Sequence, residues 1–137
     1  MVQEIFGNAF PSVEAALDVR SVRQDLLASN IANAETPGYR ALDVDFEATM
    51  QEVLGQQDHG MPSRMGEGGQ ASRPLMDALQ IVGDDSVSIG NSQNTVDVDR
   101  QMAHLEENGL MFQVTAQIAG MRFASLKNVL SEGGRSR

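Results

Sequence analysis

Cysteine and tryptophan are absent from the 137 residues, and tyrosine occurs once. Without cysteine there are no disulfides, thiol nucleophiles or cysteine-based zinc sites. With so little aromatic volume, a thick globular interior is disfavoured and elongated helix-on-helix packing suits the composition better. Positive charge is also scarce. Ten Lys and Arg stand against 19 Asp and Glu, for a net charge of −9. Nucleic-acid binding needs clustered cations for phosphate, and adsorption to anionic lipid needs the same, so both are disfavoured. No stretch approaches the roughly 18 apolar residues of a membrane span. Met1 to Phe10 carries Glu4 but no basic residue, and no apolar run of signal-peptide length. Any secretion is therefore expected to use a route that leaves the N-terminus uncleaved. Val, Ile, Leu and Phe make up about a quarter of the chain, just above the range of disordered sequences. One domain with a modest core fits this length.

Three zones differ in texture: residues 1–54, 55–96 and 97–137. The last gives the clearest pattern. Val98, Met102, Leu105, Gly109, Phe112, Ala116, Ala119, Phe123, Leu126 and Leu130 follow one another at alternating gaps of four and three. That is the heptad spacing of a coiled-coil seam. A second apolar line, Met111, Val114, Ile118, Met121 and Val129, runs beside it, so the helix is expected to have neighbours on two sides. One helix buried in an ordinary bundle is the plainer alternative. Asp97 and Asp99 at its start and Lys127 near its end suit the helix dipole, and Gly133-Gly134 supplies a stop. Asn108-Gly109 is a turn dipeptide inside the pattern. The heptad phase is unchanged across it, which predicts one continuous helix, with Gly109 either tolerated or admitting a neighbouring backbone.

The N-terminal zone supplies a partner. Pro11, Ser12 and Glu14 read as a helix start. Ala15, Val19, Val22, Leu26, Ser29 and Asn33 repeat the same spacing. The helix is expected to end around residues 32–34, because Thr36-Pro37-Gly38 is a turn signal. In the middle zone, residues 55–74 contain five Gly, two Pro and no Val, Ile, Leu or Phe, too little to offset chain entropy. Leu75 to Val82 is an apolar island, readable as a helical turn or two or as a strand. Val87 and Ile89 alternate as a hairpin arm does. The fold class is therefore mainly α: N- and C-terminal helices paired as a coiled coil, with a small irregular or short-stranded middle segment.

Chemistry is sparse. Nucleophile-elbow, phosphate-loop and zinc-protease motifs are missing. His59 and His104 are far apart, and His104 is expected at a partly exposed helix position. The triplets Asp43-Val44-Asp45 and Asp97-Val98-Asp99 offer paired carboxylates, but both fail the calcium-loop pattern, since Ala48 and Met102 replace its glycine. The second triplet is read as a helix cap, and the first as a half-buried extended piece continuing to Phe46. Met102, Met111 and Met121 fit plain packing better than a promiscuous groove. No catalytic, metal or cofactor site is called, and the chain is not expected to be an enzyme.

The densest feature is the helix exit, Ser29-Asn30-Ile31-Ala32-Asn33 followed by Thr36-Pro37-Gly38-Tyr39. Asn30 and Asn33 can cap carbonyls or accept a left-handed backbone. So many capping residues imply a fixed geometry rather than a linker.

This exit resembles the signature of the bacterial flagellar rod and hook proteins. Arg40-Ala41-Leu42-Asp43-Val44-Asp45-Phe46 and the run Asn94-Thr95-Val96-Asp97-Val98-Asp99, with Met102, Leu105, Glu107-Asn108 and Phe112-Gln113, are most similar to the proximal rod member of that family. The resemblance spans roughly residues 10–54 and 91–130, and it marks Asn30, Ile31, Ala32, Asn33, Thr36, Pro37, Gly38 and Tyr39 as signature residues. It implies a structural subunit of the flagellar basal body that is exported unfolded through the type III apparatus without a cleaved signal peptide. Such a subunit assembles head-to-tail on the periplasmic side to carry torque. The implied partners are copies of itself, other rod proteins, the membrane (MS) ring and its rod-base junction protein. On this reading Val98, Met102, Leu105, Phe112, Ala116, Ala119, Phe123, Leu126 and Leu130, with Val19, Val22 and Leu26, are the assembly residues. A soluble helical adaptor or export chaperone that binds client helices is the alternative.

Overall fold

Two helices dominate the computed structural model, which describes residues 9–57, 73–84 and 94–133. The first, α1, spans Ala9–Ala32. It begins three residues before Ser12 and holds Pro11 in its first turn, where a missing N–H costs nothing. Its last turn gives way to Thr36-Pro37-Gly38-Tyr39. There the Tyr39 N–H donates to the Thr36 carbonyl at 3.2 Å and Gly38 has a φ of +74°. A type II turn requires positive φ at its third residue, which glycine meets without strain, and favours proline at its second.

Strand β1, Leu42–Val44, follows, and then helix α2, Phe46–Gln57. The extended reading through Phe46 is thus corrected. Asp45 ends the strand and caps the helix, its Oδ1 accepting the Ala48 N–H at 2.9 Å and its carbonyl the Thr49 N–H at 3.0 Å. The apolar island at 75–82 resolves into both of its readings, a short helix α3, Arg73–Ala78, and a strand β2, Ile81–Gly83. The strands pair antiparallel with Asp43 opposite Val82. Two outer bonds extend the ladder: Asp45 N–H to the Gln80 carbonyl at 2.9 Å and Asp84 N–H to the Ala41 carbonyl at 2.8 Å.

Helix α4, Val98–Gly133, is continuous through Asn108-Gly109. Asp97 caps it, its Oδ1 accepting the Arg100 N–H at 3.2 Å. Nothing among the described residues lies within 4 Å of a Cβ placed on Gly109, so no backbone approaches there. At 1.5 Å per residue α4 is about 54 Å long and α1 about 36 Å. They pack antiparallel: Asn30 near the end of α1 meets Gln101 near the start of α4, and Arg20 and Gln24 meet Asn108. Neither helix nor any other described one is long and apolar enough to cross a membrane.

The core is small and lies off the helix pair. Val19, Val44, Val53, Leu75 and Ala78 are buried together, with Ala15, Val22, Leu26, Phe46, Met50 and Leu79 packed against them. So α1 is a shared wall, with α4 on one side and β1, α2 and α3 on another. The middle zone therefore contributes to the core through Leu75 and Ala78 of its apolar island, and Asn94 and Val96 are buried as well. Val87, Ile89, His59, Met61 and Met65 lie outside the described residues.

Candidate functional site

The signature segment folds into a clasp between α1, β1 and α4, and Asn30 is its hub. The Asn30 amide is fully buried. Its Nδ2 donates to the Leu42 carbonyl at 2.7 Å and to Gln101 Oε1 at 2.9 Å. Its Oδ1 accepts the Leu42 N–H at 3.1 Å and the Tyr39 hydroxyl at 3.2 Å. An asparagine carries two donors and one acceptor oxygen with two lone pairs, so every bonding position of this one is used. Asn30 therefore acts as an extra strand residue for β1 rather than as a helix cap. Asn33 does cap, donating to the Ser29 carbonyl at 2.8 Å, and the Thr36 hydroxyl donates to Asn33 Oδ1 at 3.3 Å.

A second buried amide closes the turn from the other side. Asn94 Nδ2 points at the carbonyls of Asn33, Ala34 and Thr36, at 3.1, 2.8 and 2.8 Å. Asn94 Oδ1 accepts the Val96 N–H at 2.8 Å. Thr95 adds two bonds, its N–H to the Tyr39 carbonyl and its hydroxyl oxygen accepting the Ala41 N–H. Gln101 carries the network on, donating through Nε2 to Asp84 Oδ2 at 3.0 Å, while Arg100 lies 3.4 Å from the other oxygen of Asp84. The helix exit is thus locked to both the strand pair and the start of α4.

Charge reinforces the lock. Arg23 on α1 grips Asp43 on β1 through Nε and Nη2, at 2.7 and 2.8 Å. That paired bond raises the Arg23 pKa above its ordinary value, outweighing burial, which lowers it. One turn earlier, Arg20 stacks over the Phe46 ring, 4.2 Å from its centroid. Burial, and after it the neighbouring Arg23, lowers the Arg20 pKa from its ordinary value, and Glu107 on α4 opposes the shift. Burial raises the Asp18 carboxyl pKa, and Glu14 raises it further.

The expected seam residues are divided by the fold. Val19, Val22 and Leu26 belong to the core under β1 and α2. On α4, Leu105, Ala119 and Leu126 are half-buried, whereas Val98, Met102, Phe112, Ala116, Phe123 and Leu130 are exposed. Exposure rises to 62% at Phe123 and 77% at Leu130. The second line, Met111, Val114, Ile118, Met121 and Val129, is exposed too. The line facing α1 lies one position aside and is polar at its best-buried points, Gln101 and Asn108, each 1% exposed. His104, on the same side, is half-buried with its Nδ1 buried and unbonded among the described residues. The apolar residues of α4 are thus mostly left exposed by α1.

Gln101 and the Arg23–Asp43 pair carry no sequence signal of their own, and Asn94 and Asn108, though they stand in the runs that carry the resemblance, have no role legible from sequence. Gln101 flanks a recognisable cap, and nothing in its neighbourhood in sequence points to Asn30. Asn108 was hidden inside a turn-like dipeptide.

Comparison with known proteins fits this geometry. The family described as flagella basal body rod protein matches residues 14–40, which cover most of α1 and the clasp turn. The flagellar basal body rod protein FlgB of Salmonella typhimurium is 37% identical over 128 residues, covering 88% of this chain and 91% of that protein. FlgB of Escherichia coli is 34% identical over 127 residues, with the same coverage. FlgB of Bacillus subtilis is 29% identical over 130 residues, covering 94% and 98%. At these identities over nearly whole chains, the protein belongs to the FlgB family of flagellar basal body rod proteins.

Proposed function

We propose that this chain is a structural subunit of the proximal rod, joined head-to-tail to its neighbours through the exposed face of α4 and loaded by torque along the helix axes. The supporting observation is the apolar stripe from Val98 to Leu130, which α1 leaves largely uncovered. In water that stripe is a liability; between subunits it supplies roughly 25 cal/mol per Å² of apolar surface removed from solvent. A repeated heterologous contact that does not close builds a helical filament, the geometry a rod needs. The other contacts in this reading are with further rod proteins, the MS ring and its rod-base junction protein. Delivery is through the flagellar type III export apparatus to the periplasmic side, without signal-peptide cleavage. A small core suits a chain that travels unfolded and gains stability from its partners.

Electron microscopy of basal bodies from cells lacking the gene tests this reading. Membrane rings without a rod, in non-motile cells that the natural gene restores, are expected. Complete rods would refute it and leave the helical adaptor or export chaperone as the better account. Leu130→Asp refines the test. The site is exposed in the single chain, so folding should change by no more than about 0.5 kcal/mol, while rod incorporation should fail because the charge would be buried between subunits.

A further inference from the structure

Two amides on α4 sit where a helix pair normally buries leucine or valine. Gln101 and Asn108 are seven residues apart, on the line that faces α1, and each is almost wholly buried. Each meets an amide of α1. Gln101 Oε1 accepts from Asn30 Nδ2 at 2.9 Å, and Asn108 Nδ2 donates to Gln24 Oε1 at 2.8 Å and to the Arg20 carbonyl at 2.9 Å. At both levels one partner is the short amide and the other the long one, and the order is reversed between levels.

We infer that these crossed Asn–Gln pairs are a register key, setting the axial position of α4 against α1. The Asn94 and Thr95 bonds hold the entry to α4 beside the end of α1, but apolar packing further along the pair discriminates poorly between positions one heptad apart. A buried amide discriminates, since it must find its partner or lose its hydrogen bonds. Sliding α4 seven residues one way brings Asn108 to Asn30, two short amides that leave a gap, and puts Gln24 beside Thr115. Sliding it the other way sets Gln24 against Gln101, two long amides in one space, and Asn108 against Leu17. Only the observed register pairs both amides. The key has a cost in the same place: Asn108 Oδ1 and Arg20 Nε are buried without a hydrogen-bond partner among the described residues. A slip of one heptad moves α4 by about 10 Å. That would displace its whole exposed apolar face relative to α1 and the strand pair.

The natural chain has no cysteine, so spin labels can be placed at will on the full-length protein. Ala28→Cys and Gln117→Cys lie at exposed positions well apart along the pair. Pulsed dipolar spectroscopy should give one distance with the natural interface. The Gln101→Leu/Asn108→Leu variant should add or substitute a second distance, displaced by roughly 5–10 Å for a one-heptad slip. Thr115→Leu, on the same line but outside the key, should keep the single natural distance. Gln24→Asn/Asn108→Gln, which exchanges long and short partners, should keep it as well. An unshifted single distance in the leucine variant, two distances with the natural interface, or a second distance in either control would overturn the key. If the leucine variant loses its helical circular dichroism, Asn108→Gln alone decides. It retains the amide and only lengthens it, so a second distance supports the key and an unchanged one removes it.

Discussion

Replacing Asn30 by alanine or by aspartate separates a hub from a cap. The side chain makes four hydrogen bonds, to Leu42 N–H, Leu42 C=O, Gln101 Oε1 and the Tyr39 hydroxyl. Each is worth about 1 kcal/mol net, and a buried group left unpaired adds about 1–3 kcal/mol. Gln101 is the buried group stranded here. Asn30→Ala should therefore cost about 5–7 kcal/mol, a large share of the roughly 5–15 kcal/mol that stabilises an ordinary domain. Asn30→Asp is the sharper probe. Aspartate preserves the shape and the acceptor, so a cap would tolerate it. A hub would not, because both donated bonds vanish and a carboxylate is placed against the Leu42 carbonyl and Gln101 Oε1. Both variants should lower the urea midpoint of the full-length chain strongly, with Tm down by more than about 10 °C, and cells carrying them should lose motility. A loss below about 1 kcal/mol for Asn30→Asp would refute the reasoning, since it would mean that the bonds to Leu42 and Gln101 contribute nothing.

Asp43→Ala strands the Arg23 guanidinium at a mostly buried site and should destabilise by about 2–4 kcal/mol. Arg23→Met/Asp43→Leu should recover most of that loss, and an unfolding-based double-mutant cycle checks it. Asp18 has a raised pKa in the fold through burial and then through Glu14, so its ionised form is disfavoured by folding. Its contribution becomes unfavourable as the pH rises through that pKa and is relieved below the ordinary value of 3.8. Asp18→Asn should accordingly be more stable than the natural chain at pH 7 and equal to it near pH 3, as thermal melts at the two pH values would show. Gly38→Ala forces a side chain into positive φ, which should cost about 1–2 kcal/mol, with Gly38→Asn milder; denaturant titration of the pair measures the difference.

Periodicity and capping chemistry alone determined the two long helices, the end of α1, the Asp97 cap and the turn at Thr36–Tyr39. These are local properties: a heptad pattern, a carboxylate before a helix, and a proline followed by a glycine report on their own few residues. The same signals placed an apolar stripe on α4 from Val98 to Leu130. Tertiary structure decided which faces meet. The spacing of Val19, Val22 and Leu26 is the same whether they face α4 or β1 and α2, so only the fold assigns them to the small core. The strand-to-helix switch at Asp45 was likewise invisible to alternation, because Leu42, Val44 and Phe46 keep one period across it. Pairing of the strands across about 40 residues, the amide of Asn94 under a turn some 60 residues earlier, and Gln101 against Asn30 all depend on long-range closure. A polar residue read in sequence announces only that it wants a partner. The arrangement of α1, the strand pair and α4 decides which partner it receives.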